Sequence, residues 1–97
     1  MDRITFDTLY DEWMSRNSVS ATQNYDDPAF IDIVKAGADS VPFIYDRIKE
    51  HPDPIVHALD LIYPGEVKND GFVPLADYCT TWRVVLKLHG RVPQEDK

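Results

Sequence analysis

Apolar residues recur at helical spacing along most of this chain, and this spacing constrains the fold more than any other feature. In the first segment they stand at i, i+3, i+4, i+7 and i+8, as Phe6, Leu9, Tyr10, Trp13 and Met14. That spacing predicts an amphipathic α-helix from Ile4 to about Arg16. A second stripe near the C-terminal end comprises Leu75, Cys79, Trp82 and Leu86. It predicts a helix from about Pro74 to His89.

Two Asp-Pro pairs predict where two of the intervening helices begin. The side chain of Asp27 or Asp53 can accept hydrogen bonds from the free N–H groups of a first helical turn. Pro28 and Pro54 suit the first helical position, where a missing N–H costs nothing. We therefore expect a short helix from Pro28 and another from Pro54.

Glycine and proline also predict the remaining helix ends. Gly37 suits a left-handed cap after the second helix. The third helix is expected to start at Asp39 or Ser40 and to end before Pro52, because a residue that precedes proline disfavours the α conformation. Strand signals are confined to Phe72-Val73. The fold prediction is therefore all-α, as a compact five-helix bundle.

The chain is short enough for one domain, which we place at residues 1–90. Residues 91–97 are charged, include Pro93 and carry no evident hydrophobic anchor, so we expect a flexible tail. The polar segment from Asn17 to Asn24 is expected to be a mobile loop.

Several functional classes are excluded at this level. No apolar run approaches the roughly 20 residues that cross a bilayer, and no signal peptide is evident, so a membrane partner is not expected. Cys79 is the only cysteine, which excludes an internal disulfide and favours a reducing, cytoplasmic location. We expect its thiol to be buried in the core. No phosphate-binding loop or other cofactor motif occurs, so no cofactor is predicted.

The charge of the chain is acidic and unevenly distributed. Seventeen acidic against ten basic residues give a net charge of −7. Residues 1–60 hold twelve acids and five bases, a balance of −7, whereas residues 61–97 hold five of each. Direct nucleic-acid binding is not expected, because it needs cations that neutralise phosphates. The excess acid instead predicts a face for a basic protein partner.

Five residues are predicted to contact such a partner. Asp7, Asp11 and Asp46 would supply the charge. Phe43 and Tyr63 fall off the main stripes of their helices and, if exposed together, would form the aromatic centre of an interface. We therefore expect a non-enzymatic interaction module, in its most specific form an inhibitor or antitoxin-like protein that occupies the basic groove of a nucleic-acid-binding protein.

A small hydrolase-type enzyme is the first alternative. His57 and Asp60 lie three residues apart and so share a helix face, where they could carry out acid–base chemistry, with Cys79 as a further candidate. A metal site is not predicted, because zinc needs three or four converging ligands and nothing with that spacing accompanies the pair.

A self-assembling structural protein is the second alternative, since strips of opposite charge lie on the first and last helices. The acidic strip is Asp7, Asp11 and Glu12, and the basic strip is Arg83, Lys87 and Arg91. The two strips could pair within one molecule or join copies into a homo-oligomer.

The segment from Gly37 to Ile48 places a Gly-x-x-x-Val-Pro turn before a helix with apolar residues three and four apart. It resembles the second part of a HEAT-type helical repeat, with the helix from Pro28 as its partner. The chain is long enough for one or two such pairs, so the resemblance implies HEAT-like helical hairpins rather than a solenoid.

A wider layout extends from about Phe6 to Leu88. Its residues are Trp13, Asp27-Pro28-Ala29-Phe30, Gly37, Val41-Pro42, Pro52, Ala58-Leu59, Gly65-Glu66, Gly71 and Trp82. This layout is similar to that of a group of small, uncharacterised all-helical proteins of prokaryotes and phages. The chain departs from the group's pattern at Val56-His57 and at Asp27-Pro28. The resemblance implies a helical fold and transfers no functional residue.

Overall fold

Each of the five predicted amphipathic segments forms a helix. A computed structural model describes residues 1–17, 25–67 and 73–92. Within these ranges lie α1 (Arg3–Asn17), α2 (Pro28–Ala36), α3 (Val41–Glu50), α4 (His57–Ile62) and α5 (Leu75–Leu88), with no β-strand. Two 3₁₀ turns, Gly37–Asp39 and Pro54–Val56, precede α3 and α4. The all-α prediction is confirmed. Asn17, the first residue of the predicted Asn17–Asn24 loop, belongs instead to α1, and Phe72 and residues 18–24 lie outside the described residues.

Both Asp-Pro pairs begin a helical segment as the sequence predicts. The Asp27 carboxylate accepts a hydrogen bond from the Ala29 N–H at 2.8 Å, and the Asp53 carboxylate accepts one from the Ile55 N–H at 2.9 Å. Gly37 follows α2 with φ +59°, the left-handed region that favours glycine. The segment after Asp53 differs from the prediction in one respect, because it begins as a 3₁₀ turn and becomes α-helical at His57.

The two capping carboxylates are buried, and each is also bound by a side chain of α1. Asp27 accepts hydrogen bonds from Arg16 Nη2 at 2.7 Å and Nε at 2.8 Å. Asp53, which is 1% exposed, accepts one from the Tyr10 hydroxyl at 2.5 Å. A buried carboxylate is tolerated only where hydrogen bonds replace its hydration, and both residues obtain part of theirs from α1.

Ser40 lies at the predicted start of α3 but does not cap that helix with its side chain. Its hydroxyl donates instead to the backbone oxygens of Ile33 at 3.1 Å and Gly37 at 2.9 Å. These carbonyls belong to the end of α2 and the following turn, so Ser40 closes the preceding helix rather than opening the next one.

The core is built around large side chains from α1, α2 and α5. The largest that are fully buried include Trp13, Trp82, Phe6 and Phe30. Helix α2 packs mainly against α1 and α4, whereas α3 packs mainly against α5 and the Pro54–Val56 turn. Helices α2 and α3, which the resemblance to a HEAT-type repeat pairs with each other, have their main packing partners elsewhere. The HEAT-like hairpin stays a prediction.

The packed core extends past residue 90, where the sequence analysis placed the end of the domain. Val92 is 4% exposed and belongs to the core, so it supplies the hydrophobic anchor that the sequence analysis missed. The Arg91 backbone N–H donates to the Leu86 oxygen at 2.9 Å, and the Arg91 guanidinium binds both Glu66 oxygens, at 2.5 and 2.7 Å. Residues 93–97 of the expected tail lie outside the described ranges.

The helices are short. The longest in the described part of the chain, α1, has 15 residues, compared with the roughly 20 that cross a bilayer. Among the described residues, no helix combines the length and the apolar character needed to span a membrane. A cytoplasmic location stays a prediction.

Candidate functional site

Two of the three carboxylates predicted to contact a partner are bound by the chain's own arginines. Asp7 accepts a hydrogen bond from Arg47 Nη2 at 3.0 Å, and Asp46 accepts one from Arg3 Nη2 at 2.5 Å. Both contacts join α1 to α3, so Asp7 does not pair with the basic strip of α5. Asp11 is exposed and forms no ion pair within the described residues.

The two aromatic residues of the predicted interface are half-buried, and each lies beneath an arginine. The Arg3 guanidinium carbon is 5.3 Å from the centre of the Phe43 ring, and that of Arg91 is 3.7 Å from the Tyr63 ring. Phe43 packs against α1 and Tyr63 against α5, through ring contacts with Phe6 and Trp82 respectively. These ring contacts are made with different helices, and partner binding by either residue stays a prediction.

One arrangement of side chains occurs three times among the described residues, with an arginine over an aromatic ring and bonded to a carboxylate. The sets are Arg3 with Phe43 and Asp46, Arg47 with Tyr10 and Asp7, and Arg91 with Tyr63 and Glu66. We call each set an aromatic–arginine–carboxylate triplet. The guanidinium suits it because its face stacks on the ring while its edge N–H groups bind the carboxylate.

The basic strip at the C-terminal end does not act as one surface. Arg91 belongs to a triplet with Glu66, whereas Arg83 lines a cleft of about 260 Å³ at the end of α3. Arg83 Nε is buried and has no hydrogen-bond partner within the described residues. The proposed pairing of the acidic and basic strips inside one molecule therefore fails for Asp7 and Arg91.

His57 and Asp60 contact each other on α4, as their spacing predicts. His57 Nδ1 lies 3.2 Å from Asp60 Oδ2. The other oxygen of Asp60, Oδ1, accepts hydrogen bonds from the Tyr78 hydroxyl and from Trp82 Nε1, the latter at 3.2 Å. Two donors on α5 therefore hold the Asp60 carboxylate in place, and the second oxygen remains directed to the His57 side.

The same pair lines an open groove of about 320 Å³, which we call the Asp60 groove. Its lining residues are Tyr25, Phe30, His57, Asp60 and Leu61. Tyr25 is 38% exposed and Leu61 is 55% exposed, whereas Phe30 is fully buried. The Tyr25 ring meets the rings of both Phe30 and His57 edge to face, with centroid distances of 5.2 and 5.4 Å. Partial burial and the neighbouring Asp60 charge raise the pKa of the Tyr25 hydroxyl.

The sequence analysis did not assign Tyr25 or Leu61 to a site. Leu61 lies off the apolar stripe of α4, and a position off the stripe indicates an exposed side chain. Tyr25 carries no comparable signal, because its approach to α4 depends on how α2 packs against that helix.

The groove offers limited means for catalysis. A histidine beside a carboxylate can move protons, but none of the described residues that line the groove is a serine, threonine, cysteine or lysine that would act as a nucleophile. Cys79 is 2% exposed and donates to the Asp53 backbone oxygen at 3.6 Å, outside the groove. Burial raises the pKa of its thiol. Among the described residues, no three His, Cys, Asp or Glu side chains converge as a metal site.

Comparison of the chain with known protein families, curated proteins and solved structures finds no match in any of the three. The resemblances to HEAT-type hairpins and to small prokaryotic and phage proteins therefore stay predictions.

Proposed function

We propose that the protein is a non-enzymatic protein–protein interaction module whose partner has a basic surface. This description fits a nucleic-acid-binding protein whose basic surface is covered by the module, so that nucleic acid can no longer bind there. In that case the module is an inhibitor or antitoxin-like protein. The observation that carries the proposal is the way in which the chain's charges are distributed between internal pairs and the surface.

Four of the five arginines, those at positions 3, 16, 47 and 91, form ion pairs with carboxylates of the same chain. Each such pair is locally neutral. The net charge of −7 therefore comes from other carboxylates. Among them are Asp11 on α1 and Asp32 on α2, which are exposed and form no ion pair within the described residues. An acidic surface with few competing cations attracts a basic partner and accelerates the encounter.

Charge reversal at Asp7 or Asp46 would be an ambiguous test, because it would also break the contacts to Arg47 or Arg3. Asp11→Lys avoids this problem. Asp77→Lys is the matched control, since Asp77 is also exposed but lies in the part of the chain whose charges balance.

The test is affinity capture from the native host, with mass spectrometry to identify the partner. Isothermal titration calorimetry with the purified partner then measures the affinity. We expect a basic protein that Asp11→Lys binds about tenfold more weakly than wild type and that Asp77→Lys binds normally. Affinity should fall steeply between about 0.05 and 0.5 M salt, since exposed charges are screened over this range. A partner without a basic surface, or an affinity unchanged by salt, would refute the proposal.

A further inference from the structure

We infer that the Asp60 groove binds a single arginine side chain, presented by the protein partner. The inference deepens the proposed function and rests on it for the source of the arginine.

The three triplets show how this chain binds its own arginines. In each one the guanidinium carbon lies 3.7 to 5.3 Å from the centre of an aromatic ring, and a guanidinium nitrogen lies 2.5 to 3.0 Å from a carboxylate oxygen. Stacking and charge-assisted hydrogen bonding thus act on the same group.

The Asp60 groove contains the aromatic and carboxylate parts of a fourth triplet. Tyr25 and His57 supply rings, and the Asp60 side chain is 27% exposed beside them. Tyr78 and Trp82 fix one oxygen of Asp60, so the carboxylate is positioned before any ligand arrives. No arginine of the described residues lines this groove.

The size of the groove suits one side chain. Its volume of about 320 Å³ is near the lower end of the roughly 300–1,000 Å³ typical of small-molecule sites. Leu61, which is 55% exposed, offers apolar surface for the methylene stem, while the rings and Asp60 receive the head group. Arginine fits better than lysine because its planar guanidinium can stack and form hydrogen bonds at once. Arginine is also enriched among the residues that dominate protein interfaces.

The probe for this site is the peptide acetyl-Gly-Arg-Gly-amide, with ¹H–¹⁵N NMR spectra recorded on the full chain. The Trp82 indole N–H, which donates to Asp60, reports directly on the groove. We expect saturable shifts of this resonance and of the backbone at Tyr25 and at residues 57–61. The citrulline peptide has nearly the same shape without the charge and should give no saturable shift, and the lysine peptide should bind several-fold more weakly.

Two substitutions that each remove one negative charge separate binding at the groove from attraction by the overall charge of the protein. Asp60→Asn should weaken the arginine peptide about tenfold, whereas Asp32→Asn should leave its affinity within about twofold. Asp60→Asn can still accept hydrogen bonds through its amide oxygen, and a circular dichroism melt checks that it folds. The citrulline comparison needs no variant and keeps the test valid if Asp60→Asn unfolds.

The possible results separate this inference from the proposed function. Absence of saturable shifts, equal shifts with citrulline, or shifts spread over the acidic surface would overturn the arginine site. Such results would leave the capture of a basic partner unaffected. Conversely, groove shifts with the arginine peptide alongside a captured partner without a basic surface would support the site and refute the proposed function.

Discussion

Tyr10→Phe removes one hydroxyl and leaves the buried Asp53 carboxylate with an oxygen that has lost its donor. Because Asp53 is 1% exposed, water has little access to replace that hydrogen bond. Hydrogen bonds to charged groups contribute about 1.5–3 kcal/mol, and an unsatisfied buried acceptor adds a desolvation cost. The ring of Phe would still lie beneath Arg47, so the stacking contact at 4.0 Å is retained. We expect a loss of about 2–3 kcal/mol in the free energy of unfolding.

Urea unfolding followed by circular dichroism measures this loss, and the melting temperature should fall by roughly 10–20 °C. Tyr63→Phe is the matched control, because the Tyr63 hydroxyl has no hydrogen-bond partner within the described residues; it should cost less than about 0.5 kcal/mol. A double-mutant cycle with Asp53→Ala should give a coupling energy of about 1.5–3 kcal/mol. Equal losses for Tyr10→Phe and Tyr63→Phe, or a coupling near zero, would refute the reasoning.

Three further outcomes follow from the same structure. Burial and the contact with Asp53 raise the pKa of Tyr10 in the folded protein. The stabilisation that the Tyr10 hydroxyl provides is therefore fully present below the pKa of about 10 that tyrosine has in the unfolded chain, and it is lost as the pH rises above that value. In urea titrations over that range stability should decline, and Tyr10→Phe should make the decline shallower by up to about 1.4 kcal/mol per pH unit; an unchanged slope would contradict this. The buried, less acidic thiol of Cys79 should react with an aromatic disulfide reagent far more slowly in native protein than in urea, whereas equal rates would place it at the surface. Truncation after Gly90 should lower the free energy of unfolding by about 2 kcal/mol relative to truncation after Val92, since it removes the Val92 anchor; equal urea midpoints would show that this anchor does not contribute.

The two helical starts at the Asp-Pro pairs could be predicted because their signals are local. At Asp27 and Asp53 the cap and the N–H it binds lie two residues apart, so the sequence contains both partners side by side. Gly37 and the proline positions act through backbone conformation in the same short range. Local chemistry of this kind is readable without knowledge of the tertiary fold.

Contacts between helices could not be predicted in this way. Arg47 and Asp7 are separated by 40 positions, and Tyr10 and Asp53 by 43. Excess negative charge in the sequence did not reveal that Asp7 is already bound, because the pairing depends on how α1 lies against α3. Net charge describes a surface only after such internal pairs have been identified.

The Asp60 groove contains one contact that could be predicted from the sequence and several that could not. The contact between His57 and Asp60 follows from their spacing on one helix. The approach of Tyr25 and the two donors from α5 requires segments that are 18 or more positions distant from Asp60. The sequence therefore identified the chemical pair but not the walls that surround it.

The two buried aspartates at the helix starts have a consequence for how the molecule comes apart. Each shares its oxygens between a backbone N–H and a side chain of α1. If α1 peels away, both carboxylates lose a donor at the same moment, and the beginnings of two distant segments are weakened together. We therefore expect α1, the start of α2 and the Pro54–Val56 turn to unfold together rather than one after another.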